Sequence, residues 1–338
     1  MLSRHKQSPL KIFAPDLLIT ALALVVAVWL FGVPALLTTL ILIIIEVTFS
    51  FDNAIINAKI LERLSRPWQV AFLTIGILIA VIGMRLLFPI VIVSLSAGLG
   101  FSQVVDLALN HPTEYSQRLS EAHVMIASFG GAFLLMLALG FFFDRDKPTT
   151  WLHLFERPVS RLGNNWWPSI IVLLVVASLS SIAGQHGRQI LEAGIIGIGV
   201  YLIVHLGSEL LNRRPDHHGP ATGWAALMLF VYLQVIDASF SFDGVIGAFA
   251  ITNDVVLIAL GLGVGALWVR SMTIFMVHRG TLKNYIYLEH GAHYTIAVLA
   301  IAMFVSLFWH LPEAITGLIG IGIIGSSIAA SLQAKAQA

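Results

Sequence analysis

Runs of about 20 mostly apolar residues recur along the whole chain, and a helix of that length matches the hydrocarbon core of a bilayer. In lipid every backbone N–H and C=O must be bonded within the protein, which leaves helices or closed barrels as spanning structures. Runs this long select helices. The fold class that follows is an all-α polytopic membrane protein with about ten transmembrane helices. The predicted spans are 13–33, 35–57, 69–95, 122–143, 168–186, 190–211, 224–250, 254–277, 292–310 and 312–332. "GVP" at 32–34 and "TND" at 252–254 read as tight turns, and 96–121 and 144–167 as the longest loops.

Composition agrees. The chain is 58% hydrophobic and 11% charged, whereas a soluble domain is about 45–50% apolar and about 25% charged. The formal net charge of +1 points to no nucleic acid. Cysteine is absent, which excludes disulfides and thiolate metal sites and leaves oxygen or imidazole for any metal. The N-terminal apolar run is too long for a signal peptide and lacks a small-residue cleavage site, so it reads as the first span.

Lysine and arginine orient the spans. With the N-terminus inside, Arg4, Lys6, Lys11, Lys59, Arg63, Arg66, Arg145, Lys147, Arg157, Arg161, Arg213, Arg214, Arg279, Lys283 and Lys335 fall on the inner side. Arg118 and Arg188 fall outside, and Arg85 and Arg270 lie within spans. The expected setting is the inner membrane of a bacterium, with both termini cytoplasmic and the lipid bilayer as partner. Trp151, Trp166 and Trp167 read as an interfacial belt.

"EVTFSFDNAI" (46–55) is repeated as "DASFSFDGVI" (237–246). Glu46 corresponds to Asp237, Asp52 to Asp243 and Asn53 to Gly244. Arg85 in "IGMRLLF" matches Arg270 in "LWVRSMTIF", and His123 matches His293 in a weaker third pair. Spans 2–4 and 7–9 are thus repeated. An odd number of crossings separates the copies, so they run in opposite directions: an inverted three-helix repeat, as in many secondary transporters. The resulting organisation is 1–34 (inner segment and first span), 35–143 (repeat 1), 144–223 (inner loop and spans 5–6), 224–310 (repeat 2) and 311–338 (last span and tail).

A charge at a span centre costs about 2.5–3.5 kcal/mol. Six unpaired ones would exceed the roughly 5–15 kcal/mol net stability of a fold. They must pair, reach water or hold a cation. Four carboxylates against two guanidinium groups leave a formal −2, which one divalent cation would neutralise. Carboxylates and an amide suit Mg²⁺, Ca²⁺ or Mn²⁺, and a nearby imidazole would favour Mn²⁺. In an unbroken helix Glu46 and Asp52 lie about 120° apart, whereas Glu46 and Asn53 share a face. Loosening near Ser50, and again at Gly244, would bring both acids of each copy to one cavity.

The alternative is that the acids and arginines form structural ion pairs. Arg85 and Arg270 read as counter-ions or gates; an arginine can fix a carboxylate but not ligate a metal. His123 and His293 divide between an interfacial or packing role and ligation or a proton relay. Glu121, Glu289, Glu192 and Glu209 read as solvated ends, and His217-His218 as a solvated loop. "GLGVG" (261–265) and "GIIGIG" (194–199) read as close helix packing rather than nucleotide loops.

The acid-then-"S-x-D-N" pattern of "EVTFSFDNAI", the second "SFDG" and the arginine in the span after each motif resemble the TerC family of integral membrane proteins, grouped with LysE-type transporters. The resemblance covers roughly 35–310. It implies a divalent-metal exporter, chiefly for Mn²⁺, with Glu46, Asp52, Asn53, Asp237 and Asp243 as ligands and no organic cofactor. It also links the chain to metallation of exported enzymes and to tellurite resistance. The count of spans and Gly244 depart from the family pattern and suggest a divergent branch.

The expected activity is therefore export of a divalent cation by exchange with protons on the carboxylates, without an enzymatic reaction. Two alternatives stand beside it. One is a membrane factor for metallation or tellurite resistance that does not itself transport. The other is an intramembrane aspartyl protease using Asp52 and Asp243, against which the Gly-x-Gly-Asp signature is absent.

Overall fold

The computed structural model describes residues 9–145, 147, 149–163, 166–212, 220–249, 251–309 and 311–337, without the side chains of 10, 11, 207–212, 242, 243, 246, 313 and 314. The described residues are overwhelmingly helical. In chain order the helices are α1 (Pro9–Phe31), α2 (Pro34–Phe49), α3 (Phe51–Leu61), α4 (Arg66–Leu73), α5 (Ile75–Leu78), a π-helix (Ile79–Leu87), α6 (Phe88–Ala97), α7 (Phe101–Asn110) and α8 (Pro112–Phe143). There follow α9 (His153–Leu162), α10 (Trp167–Ile182), a 3₁₀ turn (Gly184–His186), α11 (Gly187–Asn212), α12 (Gly223–Phe249), α13 (Val255–Arg279), α14 (Thr281–Asn284), α15 (Leu288–Val305) and α16 (Glu313–Gln337).

Among the described residues eight spans are long and apolar enough to cross a membrane, the continuous run Arg66–Ala97 from α4 to α6 counting as one, and the pairs α2–α3 and α9–α10 raise the number to ten if each is one bent span. The protein is an all-α integral membrane protein, its lipid-facing surface apolar at positions such as Leu18, Leu22, Val25 and Ile203. α9 carries Glu156, Arg157 and Arg161 within ten residues and is too charged to lie in the hydrocarbon. The 96–121 and 144–167 connections are not loops throughout. α7, the first turns of α8, and α9 occupy much of them. Their polar sequences gave no span signal, and short helices outside the membrane need none.

The chain divides into two compact units. The first holds residues 1–122, 220–222 and 233–281; the second holds 123–219, 223–232 and 282–338.

In the first unit, small residues bring helices together. Ala23 of α1 packs with Ile43 of α2 and Val264 of α13, and Ala27 packs with Ala35 and Leu257. The turn from α1 to α2 uses Gly32 at φ 82°, open to glycine without a Cβ penalty, and then Pro34 in the first turn of α2. Asp254 caps α13, its Oδ1 accepting the N–H groups of Val256 (2.9 Å) and Leu257 (3.1 Å).

Two departures from regular helix fall in this unit. Span 2 breaks at Ser50 (φ −97°, ψ 14°), where α2 and α3 meet at 52°. Span 3 bends at Thr74 (φ −110°, ψ −76°) and then widens into the π-helix. Pro89 explains where that widening ends. It has no N–H to donate, and its ring crowds the carbonyl four residues back, that of Arg85. The second copy of the motif behaves differently. α12 runs unbroken through Ser241, Asp243 and Gly244, so Gly244 does not loosen it. One helical glycine costs only about 1 kcal/mol relative to alanine, less than a break in the membrane would. Gly244 instead makes room, since a Cβ there would lie 3.2 Å from Oε2 of Glu46.

In the second unit, "GIIGIG" packs closely as expected: Gly194 meets Val176 of α10, and Gly197 meets the Phe129 carbonyl of α8. His293 stacks on Phe141 (ring centroids 3.8 Å) and its Nδ1 lies 2.8 Å from the Glu289 carbonyl. Nε2 of His123 lies 3.3 Å from Oγ of Ser306. Fully buried Glu156 ties α9 to α15. Its Oε1 accepts the N–H groups of Trp151 (3.3 Å) and Leu152 (3.2 Å) and the hydroxyl of Tyr294 (3.2 Å). Its Oε2 lies 3.6 Å from Nζ of Lys147 and 3.1 Å from Nδ1 of His290, the latter too bent for a regular hydrogen bond. Burial by itself would raise the Glu156 carboxyl. The His290 ring, the Leu152 N–H and the Lys147 ammonium outweigh it and hold the pKa at about 2.

Candidate functional site

Glu46 lies four residues, about one helical turn, before the break at Ser50. α2 ends at Phe49, three residues after Glu46, whose Oε1 accepts the Ser50 hydroxyl at 2.9 Å. α3 then presents Asn53 and Asn57, one turn apart on one face. Both amides donate to Oδ1 of Asp237 on α12, at 2.8 and 2.6 Å.

The arginines complete the arrangement. Arg85, on the π-helix, donates to Oε1 of Glu46 and through Nη1 to the Ala80 carbonyl (2.6 Å). Arg270, on α13, donates to Oδ2 of Asp237 (2.7 Å) and to the Phe72 carbonyl (2.7 Å). Each acid therefore pairs with the arginine of its own repeat, while the asparagines of the first repeat reach the acid of the second. All four charged side chains are at most 9% exposed, so these pairs are shielded from water and screening.

Between these groups is a cavity of about 20 Å³, lined by Glu46, Ser50, Asn53, Asn57, Arg85, Asp237, Ser241 and Arg270, with Ala80, Ala266 and Val269 as apolar wall. That is room for one water-sized particle. Glycines make the fit possible. A Cβ on Gly265 would lie 2.5 Å from Cβ of Glu46, and one on Gly76 would lie 2.6 Å from Nη1 of Arg270. Gly261 meets Leu42 in the same way, so "GLGVG" is a packing surface.

Several buried polar atoms around the site lack a protein partner: Oδ1 of Asn53 and of Asn57, Oγ of Ser241, both amide atoms of Gln234, and Nε of Arg85. Three of these atoms can only accept, two can only donate, and the Ser241 hydroxyl can do either, a small excess of acceptors. Buried polar atoms are normally satisfied, by protein groups, by water or by a bound species.

The sequence expectations fare unevenly. Glu46, Asn53, Asp237, Arg85 and Arg270 come together as expected. Asp52 does not line the cavity. It is 4% exposed, sits in the first turn of α3 and accepts the N–H of Asn53 at 2.8 Å, one of the N–H groups left open at a helix start. The break at Ser50 therefore does not carry Asp52 to Glu46. The Asp243 side chain lies outside the described residues, as do Glu209's and both His217 and His218. His123 and His293 belong to the second unit and are not among the lining residues. Glu121 pairs with Arg118, and Glu192 with Arg188, both exposed. Among the described residues no group of three or more His, Asp or Glu side chains could hold a metal ion. Ser50, Asn57 and Ser241 are additions. Asn57 was visible as the residue one turn beyond Asn53, and Ser241 as the counterpart of Ser50 in the repeated "FSFD".

Fold and site together define a polytopic membrane protein with a buried, charge-paired polar cavity between its duplicated motifs. A family model described as "Protein of unknown function (DUF475)" matches residues 51–338, and the chain belongs to that family. Comparisons with curated proteins and with solved structures gave no match.

Proposed function

We propose that this protein is a secondary transporter of a divalent metal cation, with Glu46, Asp237, Asn53 and Asn57 supplying oxygen ligands and Ser50 and Ser241 assisting. The observation that carries this reading is the acceptor surplus. Two carboxylates, two unpartnered amide oxygens and a hydroxyl surround a space the size of one small ion. An all-oxygen set of this kind suits Mg²⁺, Ca²⁺ or Mn²⁺. Among the described residues no histidine lines the cavity, so the preference for Mn²⁺ rests on the TerC resemblance alone.

The inner membrane of a bacterium, cytoplasmic termini, outward transport and proton exchange are parts of the same reading, supported by the distribution of lysine and arginine and by the resemblance. The protease alternative loses support, because Asp52 serves the start of α3 instead of facing the cavity.

The test is Mn²⁺ flux in proteoliposomes containing the purified protein alone. Flux that falls at least tenfold in both Glu46→Gln and Asp237→Asn supports the reading. Undiminished flux in both variants sinks it, and no flux in the unmodified protein favours a non-transporting metallation factor.

A further inference from the structure

The two copies of the motif are not equally regular. The first contains the break at Ser50, the bend at Thr74 and the π-helix Ile79–Leu87. The second, on α12 and α13, contains none of these. π-helical segments are rare and concentrate at functional sites.

The two arginines differ in the same sense. Arg270 is held from several directions. Besides Asp237, it donates to the Phe72 carbonyl of α4, lies over the Phe72 ring at 4.2 Å and fits against Gly76. Its partner Asp237 is held in turn by Asn53 and Asn57. Among the described residues, Arg85 bonds only Glu46 outside its own π-helix. Its second bond goes to Ala80, five residues back, and its Nε is buried without a partner. Arg85 is thus anchored to the irregular segment it sits on, whereas Arg270 is anchored to its neighbours.

A π-helix can pass its extra residue along the chain. Each residue of an α-helix turns the backbone by about 100°, so a one-residue shift of the wide turn past Arg85 would swing its guanidinium away from Glu46. The segment is bounded for such a shift by Thr74 on one side and Pro89 on the other.

We infer that Arg85 is a movable internal counter-cation, released from Glu46 by rearrangement of Ile75–Leu87, while the Arg270–Asp237 pair with α12 and α13 forms the fixed platform. The inference rests on the cation-transport reading and specifies its switch: Arg85 occupies Glu46 when cargo is absent and yields it when cargo binds. The site then never holds a carboxylate without a partner, and α13 need not move.

Hydrogen–deuterium exchange on the unmodified protein, with and without MnCl₂, tests this, alongside Mn²⁺ binding by the Arg85→Gln and Arg270→Gln variants. Exchange should change with Mn²⁺ across Ile75–Leu87 and around Ser50, and stay constant across 261–275. Arg85→Gln should bind Mn²⁺ about tenfold tighter, because a charged hydrogen bond no longer competes for Glu46, and should turn over more slowly. Arg270→Gln should bind no tighter. An exchange response centred on 261–275, or Arg85→Gln binding no tighter than the unmodified protein, overturns the inference alone. An unmodified protein that binds none of Mn²⁺, Mg²⁺ and Ca²⁺ overturns the transport reading as well. If Arg85→Gln does not fold, the exchange pattern of the unmodified protein decides.

Discussion

Replacing Gly265 by alanine tests whether the approach of α13 to α2 sets the geometry of the site. The new Cβ would lie 2.5 Å from Cβ and 2.6 Å from Cγ of Glu46, and 3.2 Å from the Ile43 carbonyl. Carbon atoms pack at about 3.5–4.0 Å, so the overlap is about 1 Å. The atoms it meets lie at the base of Glu46, next to the backbone, and cannot swing aside as a side-chain tip could. Overpacking of this kind costs about 1–3 kcal/mol. Alanine regains about 1 kcal/mol of helix propensity. Displacing Glu46 also strains its charged bond to Arg85, worth about 1.5–3 kcal/mol. The clash should win, with a net loss of about 2 kcal/mol. Gly199→Ala is the control, since a Cβ there meets nothing within 4 Å and keeps only the propensity gain. Denaturant unfolding of the purified protein in detergent should therefore place Gly265→Ala below the unmodified protein and Gly199→Ala at or above it. If Gly265→Ala is as stable as Gly199→Ala, the close approach at Glu46 does not exist as described.

Asp237→Asn should destabilise by about 3–5 kcal/mol, because it leaves Arg270 buried without its carboxylate; adding Arg270→Gln should recover much of the loss in the same unfolding assay. Asn53→Ala and Asn57→Ala should each weaken Mn²⁺ binding, measured by electron paramagnetic resonance of free Mn²⁺, and unchanged affinity in both would remove the amides from the ligand set. Glu156 is held at a pKa of about 2 against its ordinary 4.5, so its stabilising contribution is present above about pH 4.5 and lost as pH falls towards 2. Unfolding midpoints over that window should fall more steeply in the unmodified protein than in Glu156→Gln, and parallel slopes would contradict the pairing with Lys147 and His290.

The membrane class was legible because span length follows from bilayer thickness, a property of each segment taken by itself. The repeated "FSFD" and the arginine one span further on singled out Glu46, Asp237, Arg85 and Arg270, which the structure brings to one cavity. Ser50 was also readable as a weak point, since its hydroxyl competes for local bonds. Pro89 carried a signal for the irregular helix at Arg85 that spacing arguments passed over. Asp52 misled, because acids six apart look like partners until the helix between them bends and one becomes the first turn of a new helix.

Sequence alone thus determined the class, the spans and which charges must find partners in the membrane. Tertiary structure decided who those partners are. Asn53 and Asn57 meet Asp237 from 184 and 180 residues away, and Gly265 admits Glu46 to the same cavity. Such contacts depend on how helices cross, and helix crossing is set by the shapes of both surfaces at once, which no local pattern in either segment contains.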